Sequence, residues 1–266
     1  MRYILALLFV LVFCISCKDS PTVPTSSAVQ ESSLQSEALD REMKYSVYLP
    51  KGFQESGDKE YPVLYLLHGY FGTYRDWPDN GMQQIVDEVI EEGESDEIII
   101  IMPDGLDSFY INDFDDRSLK YEEFYVNEFI PHIEQTYPVS TTREMTGIAG
   151  LSMGGYGATY HAFKYTGKYA FSYSLSGAVG IGGSTHDIRS IIIERSTDEA
   201  ISWPEYFMDC GTHDYLLSNN EAFSVFLEEQ NITHTFTTRL GAHDWVFWTT
   251  GLPDVIKKFY EVQTNI

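Results

Sequence analysis

Gly150-Leu151-Ser152-Met153-Gly154-Gly155 has the G-x-S-x-G pattern, in which a serine occupies a sharp turn between a strand and a helix. Small residues flank such a serine because the turn leaves no room for larger side chains. The surrounding sequence fits this context. Residues 143–149 read as a short strand, and residues 156–165 read as a helix whose first amides point towards Ser152. An ordinary glycine-rich turn could have the same sequence, so other parts of the chain are needed to distinguish the two interpretations.

Apolar runs on both sides of this stretch predict a parallel sheet. Residues 61–67 (YPVLYLL) and 98–102 (IIIIM) are continuous and of strand length, which is typical of strands covered on both faces. Between them, apolar residues recur at helical spacing over 82–90, and a strand–helix–strand unit crosses over in the right-handed sense. Further strands are expected at 170–175, at 206–210 and just before Leu240. We therefore expect an α/β fold with a mostly parallel central sheet and helices on both faces.

The first 40 residues differ in composition from the rest of the chain. Residues 1–17 run from one arginine into an apolar segment too short to span a bilayer, and they end at Cys17. This resembles a bacterial lipoprotein signal whose cysteine becomes lipidated, and an ordinary secretory signal is the alternative. Residues 18–40 are rich in Ser, Thr, Pro and Gln, which predicts a flexible tether before a domain at 41–266.

The predicted signal places the protein in the bacterial cell envelope, lipid-anchored at the outer membrane or cell surface. On the alternative, the protein is periplasmic or secreted. Removal of the signal would leave Cys210 as the only thiol apart from a lipidated Cys17, so no disulfide is expected within the domain.

The charge of the chain excludes several kinds of partner. It carries 40 acidic and 17 basic residues, a formal net charge of −23. Phosphate backbones and anionic lipids would be repelled, so we expect no nucleic-acid partner and membrane contact only through the N-terminal anchor. Neutral esters and neutral polysaccharides would not be repelled. The acidic loop at 104–116 lacks the spacing of a calcium loop, and no metal or other cofactor is predicted.

Three loops after predicted strands carry residues suited to acyl transfer. A serine nucleophile needs a histidine base, and the histidine needs a carboxylate that fixes its tautomer. Ser152, Asp214 and His243 occur in the order serine, acid, histidine, each in such a loop. Asp209 could replace Asp214, but it lies on the predicted strand, whereas Asp214 lies beyond Gly211.

The loop His68-Gly69-Tyr70-Phe71-Gly72 follows the first buried strand and suggests an oxyanion hole. In serine hydrolases with this arrangement, one donor comes from such a loop and the other from the residue after the nucleophile. The backbone amides of Tyr70 and Met153 are the predicted donors. A glycine-rich turn with a core histidine is the alternative.

Five stretches of the chain together resemble the esterase D or Putative esterase family, which includes feruloyl and acetylxylan esterases of carbohydrate esterase family 1, S-formylglutathione hydrolases and mycolyltransferases. The stretches are YPVLYLLHGYFG (61–72), GIAGLSMGGYGA (147–158), SLSGA (174–178), DCGTHDYLL (209–217) and GAHDWVFW (241–248). The resemblance implies an α/β-hydrolase fold with Ser152 as nucleophile, Asp214 and His243 as its partners, and Tyr70 and Met153 as oxyanion donors.

The export signal favours one branch of this family, because the thiol substrate of a glutathione-conjugate hydrolase is cytosolic. We expect an exported serine esterase that removes feruloyl or acetyl groups from plant polysaccharides, with Phe71, Tyr110 and Trp245 contacting the substrate. The alternatives are a generic short-chain acyl esterase, an S-formylglutathione hydrolase-like thioesterase, an acyltransferase, and a surface-anchored binding protein on the same fold.

Overall fold

The computed structural model describes residues 24–55, 57–114, 118–180, 187–198 and 200–265. These residues form an eight-stranded sheet in the order β1-β2-β4-β3-β5-β6-β7-β8. The strands are β1 (Ala28–Ser36), β2 (Arg41–Leu49), β3 (Val63–Leu67), β4 (Ile99–Pro103), β5 (Thr146–Leu151), β6 (Phe171–Leu175), β7 (Glu205–Gly211) and β8 (His234–Arg239). The six strands β3 to β8 run parallel to one another, and β1 and β2 are antiparallel additions at one edge.

Helices cover both faces of the sheet, as predicted. They are α1 (Asp76–Asp79), α2 (Met82–Glu91), α3 (Tyr121–Phe124), α4 (Ile130–Thr136), α5 (Met153–Lys164), α6 (Ile188–Arg195), α7 (Leu217–Glu229) and α8 (Trp245–Thr264). Helices α3 to α7 pack on one face, and α1, α2 and α8 pack on the other. None of the helices among the described residues is long and apolar enough to cross a membrane.

The continuous apolar runs arise because successive side chains of a strand point to opposite faces. In β3, Val63, Tyr65 and Leu67 join one core cluster, whereas Leu64 and Leu66 join the other. The isoleucines of β4 divide in the same way. Each fully buried aliphatic side chain contributes roughly 1.5–3 kcal/mol. The two hydrophobic cores, one on each face of the sheet, therefore hold in place the central strands whose carboxyl ends carry the candidate site.

The predicted tether is wrong from residue 28 onwards. Residues 28–36 form β1, which pairs with β2 from Ala28 opposite Leu49 to Ser36 opposite Arg41. The strand lies at the sheet edge and is mostly polar, so it has no apolar period that a sequence reading could detect. The domain therefore begins before residue 41. Residues 1–23, including the signal segment, Cys17 and the first part of the tether, lie outside the described residues.

Helices α3 and α4 are contiguous, because a π-helical turn, Tyr125–Phe129, joins them and the backbone stays helical at both junctions. Pro131 lies in the first turn of α4, directly after the π-helical turn. Helix α7 begins directly after the loop that carries Asp214, and its N-cap Leu216 makes no side-chain capping bond.

Candidate active site

Ser152 occupies the turn between β5 and α5 in a strained conformation, with φ 52° and ψ −113°. Two hydrogen bonds at the end of β6 hold its backbone there: Ser152 N–H donates to the Leu175 carbonyl at 2.9 Å, and its own carbonyl accepts from Ala178 N–H at 2.9 Å. The glycines permit the close approach of strand and helix, because a Cβ on Gly150 would lie 2.5 Å from the Gly154 carbonyl. The turn therefore presents the Ser152 side chain at the carboxyl edge of the sheet.

Ser152, His243 and Asp214 form a hydrogen-bonded chain. Ser152 Oγ lies 2.9 Å from His243 Nε2, and His243 Nδ1 lies 2.8 Å from Asp214 Oδ2. The other Asp214 oxygen accepts from Leu216 N–H at 2.8 Å. Burial alone raises the pKa of Asp214, but the hydrogen bonds from His243 and Leu216 outweigh it and leave the pKa below its ordinary value. An ionised Asp214 requires the proton on Nδ1, which leaves Nε2 free to accept from Ser152.

Backbone contacts between two loops fix the distance between the acid and the histidine. The loop after β7 carries Asp214, and the loop after β8 carries His243. His213 N–H donates to the Gly241 carbonyl at 2.9 Å. A Cβ on Gly211 would lie 2.5 Å from that same carbonyl, so the two loops touch backbone to backbone. The approach of the two loops, and with it the position of the histidine, therefore depends on glycine at position 211.

Asp209, the alternative acid, has a different partner. Its carboxylate accepts from Arg239 Nε at 2.8 Å, and its side chain is 1% exposed. Arg239 also donates to the Phe247 carbonyl and to Thr250 Oγ1, which connects the end of β8 to the first two turns of α8. Burial raises the pKa of Asp209 to about 6, although Arg239 pulls it downwards. The structure thus places Asp214, and not Asp209, against His243.

The two predicted oxyanion donors line the same cleft as Ser152. Met153 is the first residue of α5, where a backbone N–H has no partner within the helix. Neither its amide nor that of Tyr70 donates a hydrogen bond to any residue that the structure describes. Both amides are therefore available to an oxygen atom bound in the cleft.

The cleft has a volume of about 320 Å³ and is walled largely by aromatic side chains. Its lining comprises Tyr70, Phe109, Phe114, Ser152, Met153, Ala178, Tyr215 and Leu216. Phe109 stacks on Phe114 at a ring distance of 4.1 Å. Tyr215 lies 4.6 Å from the His243 ring and is 73% exposed at the mouth. A flat apolar group fits between such walls better than a charged one.

The three predicted substrate contacts lie in different places. Tyr110 is wrong as a cleft residue, because it is fully buried and its hydroxyl donates to the His68 carbonyl at 3.1 Å. Trp245 packs edge-on against Trp77 and does not belong to the cleft lining. Phe71 is 86% exposed and packs against Tyr70 beside the cleft.

Sequence reasoning missed Phe114 and Tyr215 as cleft residues. Tyr215 directly follows Asp214, so its place in the loop that carries the acid was an available signal. Phe114 has no comparable signal, because it lies in a long polar loop without periodicity. Phe109, which the sequence placed in the same loop, takes the position in the cleft that Tyr110 was predicted to have.

The thiol of Cys210 does not add a second nucleophile to the cleft. Cys210 is buried on β7, and burial raises the pKa of its thiol to about 12, so the thiol stays protonated. Over the part of the chain that the structure describes, no three His, Cys, Asp or Glu side chains cluster closely enough to hold a metal ion.

The parallel sheet, the strained serine turn and the serine–histidine–aspartate chain together define an α/β-hydrolase. The family model described as Putative esterase matches residues 36–259. The chain belongs to this family and is a carboxylic ester hydrolase.

Similar proteins support the same class. An acetyl esterase from Caldicellulosiruptor saccharolyticus is 29% identical over 83% of this chain and 94% of its own length. The solved structure of a ferulic acid esterase is 31% identical, with a TM-score of 0.80 over 90% of this chain and 99% of that one. An S-formylglutathione hydrolase from Staphylococcus aureus is 22% identical, with a TM-score of 0.76 over 88% of this chain and 99% of its own, and shares the fold.

Proposed function

We propose that the protein is an exported serine esterase that removes feruloyl, or secondarily acetyl, groups from plant polysaccharides. The observation that carries the proposal is the chain Ser152 Oγ–His243–Asp214, with bonds of 2.9 and 2.8 Å, at the floor of an aromatic cleft. A buried acid, a histidine with one bound nitrogen and a serine in reach of the other are the parts that nucleophilic acyl transfer requires.

The proposed reaction has two steps. Ser152 Oγ attacks the ester carbonyl carbon while His243 Nε2 takes the hydroxyl proton, and the Tyr70 and Met153 amides donate to the developing oxyanion. The C–O bond to the alcohol breaks as His243 returns the proton to the leaving oxygen, which leaves an acyl-enzyme. Water then attacks the acyl carbon, gives its proton to His243, and the acid departs as Ser152 Oγ regains that proton. Asp214 stabilises the imidazolium in both steps.

The cleft supports a feruloyl group over an acetyl group. Ferulate is a flat aromatic acid, and Phe109, Phe114 and Tyr215 present aromatic surfaces beside Ser152. An acetyl group would leave much of the 320 Å³ unfilled. The similarity to a ferulic acid esterase at 31% identity agrees with this choice, and the similarity to an acetyl esterase makes deacetylation the second candidate.

Export and lipid attachment rest on residues 1–17. The apolar run that ends at Cys17 supports anchoring in the bacterial cell envelope, with the domain facing its polymer substrate. Expression in a bacterial host should yield a membrane-bound protein that incorporates labelled palmitate. Cys17→Ser should abolish the label, and labelling that persists would contradict anchoring at this cysteine.

The direct test compares three esters with the protein that lacks residues 1–17: methyl ferulate, acetylated xylan and 4-nitrophenyl acetate. We expect release of ferulate to be fastest, and Ser152→Ala to abolish turnover. Ser140→Ala is a matched control, since this serine lies beside Tyr61, at the amino ends of the parallel strands and away from the cleft.

The other outcomes would support other functions. Hydrolysis of the nitrophenyl ester alone would support a generic acyl esterase. Transfer of the acyl group to an added alcohol in preference to water would support an acyltransferase, and no turnover by folded protein would favour a binding protein.

A further inference from the structure

His68, at the end of β3, is buried with both ring nitrogens hydrogen-bonded. Its Nε2 lies 2.7 Å from Gly105 N, and its Nδ1 lies 2.7 Å from the Gly69 carbonyl oxygen. A backbone N–H can only donate and a carbonyl can only accept. The geometry therefore assigns a lone pair to Nε2 and the proton to Nδ1. The ring is a neutral imidazole in one tautomer.

The Gly69 carbonyl belongs to the same peptide unit as the Tyr70 N–H. In a planar trans peptide these two groups point in opposite directions. The carbonyl accepts from two donors, His68 Nδ1–H at 2.7 Å and Gly72 N–H at 3.1 Å. These bonds fix the rotation of the peptide unit and direct the Tyr70 N–H away from the imidazole. Tyr70 lies in the wall of the cleft beside Ser152.

His68 also joins this turn to the loop after β4. Besides the Gly105 bond, the His68 carbonyl accepts from the buried Tyr110 hydroxyl at 3.1 Å. A third bond runs from Phe71 N–H to Asp107 Oδ1. The same loop carries Phe109 into the cleft, so the oxyanion turn and the aromatic wall are held as one unit around the imidazole.

We propose that His68 is a positioning residue for the oxyanion hole: its Nδ1–H tautomer holds the Gly69–Tyr70 peptide so that the Tyr70 amide faces the reacting carbonyl oxygen. The proposal rests on the proposed function of Ser152 and adds a residue to it. Burial lowers the pKa of His68, despite the Gly69 bond and the nearby Asp104, so the ring stays neutral. An imidazolium could not accept from Gly105.

Two substitutions at His68 separate the two nitrogens. The amide nitrogen of asparagine reaches the position of Nδ1 and can donate to Gly69, whereas leucine fills space without donating. We expect His68→Leu to lower kcat about 10²-fold with little change in KM, as for loss of one oxyanion donor. His68→Asn should lose no more than about 10-fold, because the donor to Gly69 is retained.

His234 provides the matched control. Both of its nitrogens are also bound, to Ser224 Oγ at 2.6 Å and to the Ile232 carbonyl at 3.0 Å, but it lies on β8 away from the cleft. His234→Leu should leave kcat unchanged. An unchanged kcat in His68→Leu, or equal losses in the Leu and Asn variants, would overturn the proposal.

A transition-state analogue distinguishes positioning from general support of the fold. A trifluoromethyl ketone forms a tetrahedral adduct with a serine, and its oxyanion occupies the hole. Its affinity should fall in His68→Leu by the same factor as kcat/KM, while the affinity for ferulate should not change. Equal losses for both ligands would overturn the proposal in favour of a structural role.

The tautomer can be measured without any turnover. The ¹⁵N NMR spectrum of the His68 ring at neutral pH should show one protonated nitrogen, Nδ1, and one unprotonated nitrogen, Nε2. The Nε2–H tautomer or an imidazolium would overturn the inference even if the esterase is active. The expected spectrum in a protein that hydrolyses no ester would support the assigned hydrogen bonds and contradict the proposed function instead.

Discussion

Asp209 and Asp214 lie five residues apart at the end of β7, and both side chains are buried, yet their environments differ. Asp214 accepts from His243 and from the Leu216 N–H, and its pKa lies below the ordinary value. Asp209 is paired with Arg239, and burial raises its pKa to about 6. Burial is therefore common to both carboxylates, and the partner decides the role. A permanent cation makes Asp209 structural, whereas a histidine within reach of Ser152 makes Asp214 suited to catalysis.

The largest expected difference between the two aspartates is in turnover. Asp214→Asn should lower kcat for methyl ferulate about 10⁴-fold, because an amide at this position favours the wrong tautomer of His243. Asp209→Asn should retain activity within about 10-fold, since it leaves the Ser152–His243–Asp214 chain intact. Circular dichroism would show whether each variant is folded. Comparable losses of kcat in the two folded variants would contradict the different roles of Asp209 and Asp214.

The second difference concerns the cost of breaking each kind of ion pair. Arg239→Met leaves Asp209 buried without a cation and should destabilise the protein by about 3–5 kcal/mol, a loss that protonation of Asp209 limits. Lys59→Met is the control, because Lys59 and Glu97 are each about 40% exposed. That variant should lose no more than about 1 kcal/mol. Urea unfolding measures the free energy of unfolding of both variants. Equal losses in Arg239→Met and Lys59→Met would contradict a structural role for the Asp209–Arg239 pair.

The smallest expected effect is a pH dependence of opposite sign at the two positions. The raised pKa of Asp209 gives a contribution to stability that is complete below its ordinary value of 3.8 and is lost as pH rises through about 6. The lowered pKa of Asp214 gives a contribution that is present above 3.8 and is lost as pH falls through its folded-state value.

Urea unfolding between pH 3 and pH 8 can resolve these signs. From pH 7 to pH 4 the wild type should gain stability relative to Asp209→Asn. Below pH 4 it should lose stability relative to Asp214→Asn. If the stability difference from wild type changed with pH in the same direction for both variants, the pKa of Asp209 would not be raised, or the pKa of Asp214 would not be lowered, and the comparison would be contradicted.

The sequence was sufficient for the parallel sheet and for the loops that carry the site. Ser152, Asp214 and His243 each follow a strand of a parallel sheet, so all three must lie at one edge. The prediction of Asp214 rather than Asp209 as the partner of His243 depended on where strand β7 ends. Asp209 lies within β7 and is held in its core, whereas Asp214 lies beyond Gly211, where the chain is free to turn towards His243.

The loop after β4 and strand β1 have no sequence pattern from which their structure could be predicted. Over residues 104–114, the loop that follows β4 takes left-handed φ values at five non-glycine residues, and this decides that Phe109 enters the cleft while Tyr110 is buried. The five are Leu106, Asp107, Phe109, Tyr110 and Asp113. Periodicity does not apply to such a backbone. Strand β1 is polar because it lies at an edge, and its pairing with β2 rather than an apolar pattern fixes its place.

The central claim is that Ser152 is the nucleophile and that Asp214 supports it. The most direct measurement is the rate of labelling by a fluorophosphonate, in which Ser152 Oγ displaces fluoride from phosphorus, followed by mass spectrometry of the labelled peptide. We predict one adduct, on the peptide that contains Ser152, formed at similar rates in wild type and Asp209→Asn, slowly in Asp214→Asn and absent in Ser152→Ala. No adduct on folded wild-type protein, or an adduct on another residue, would contradict the account.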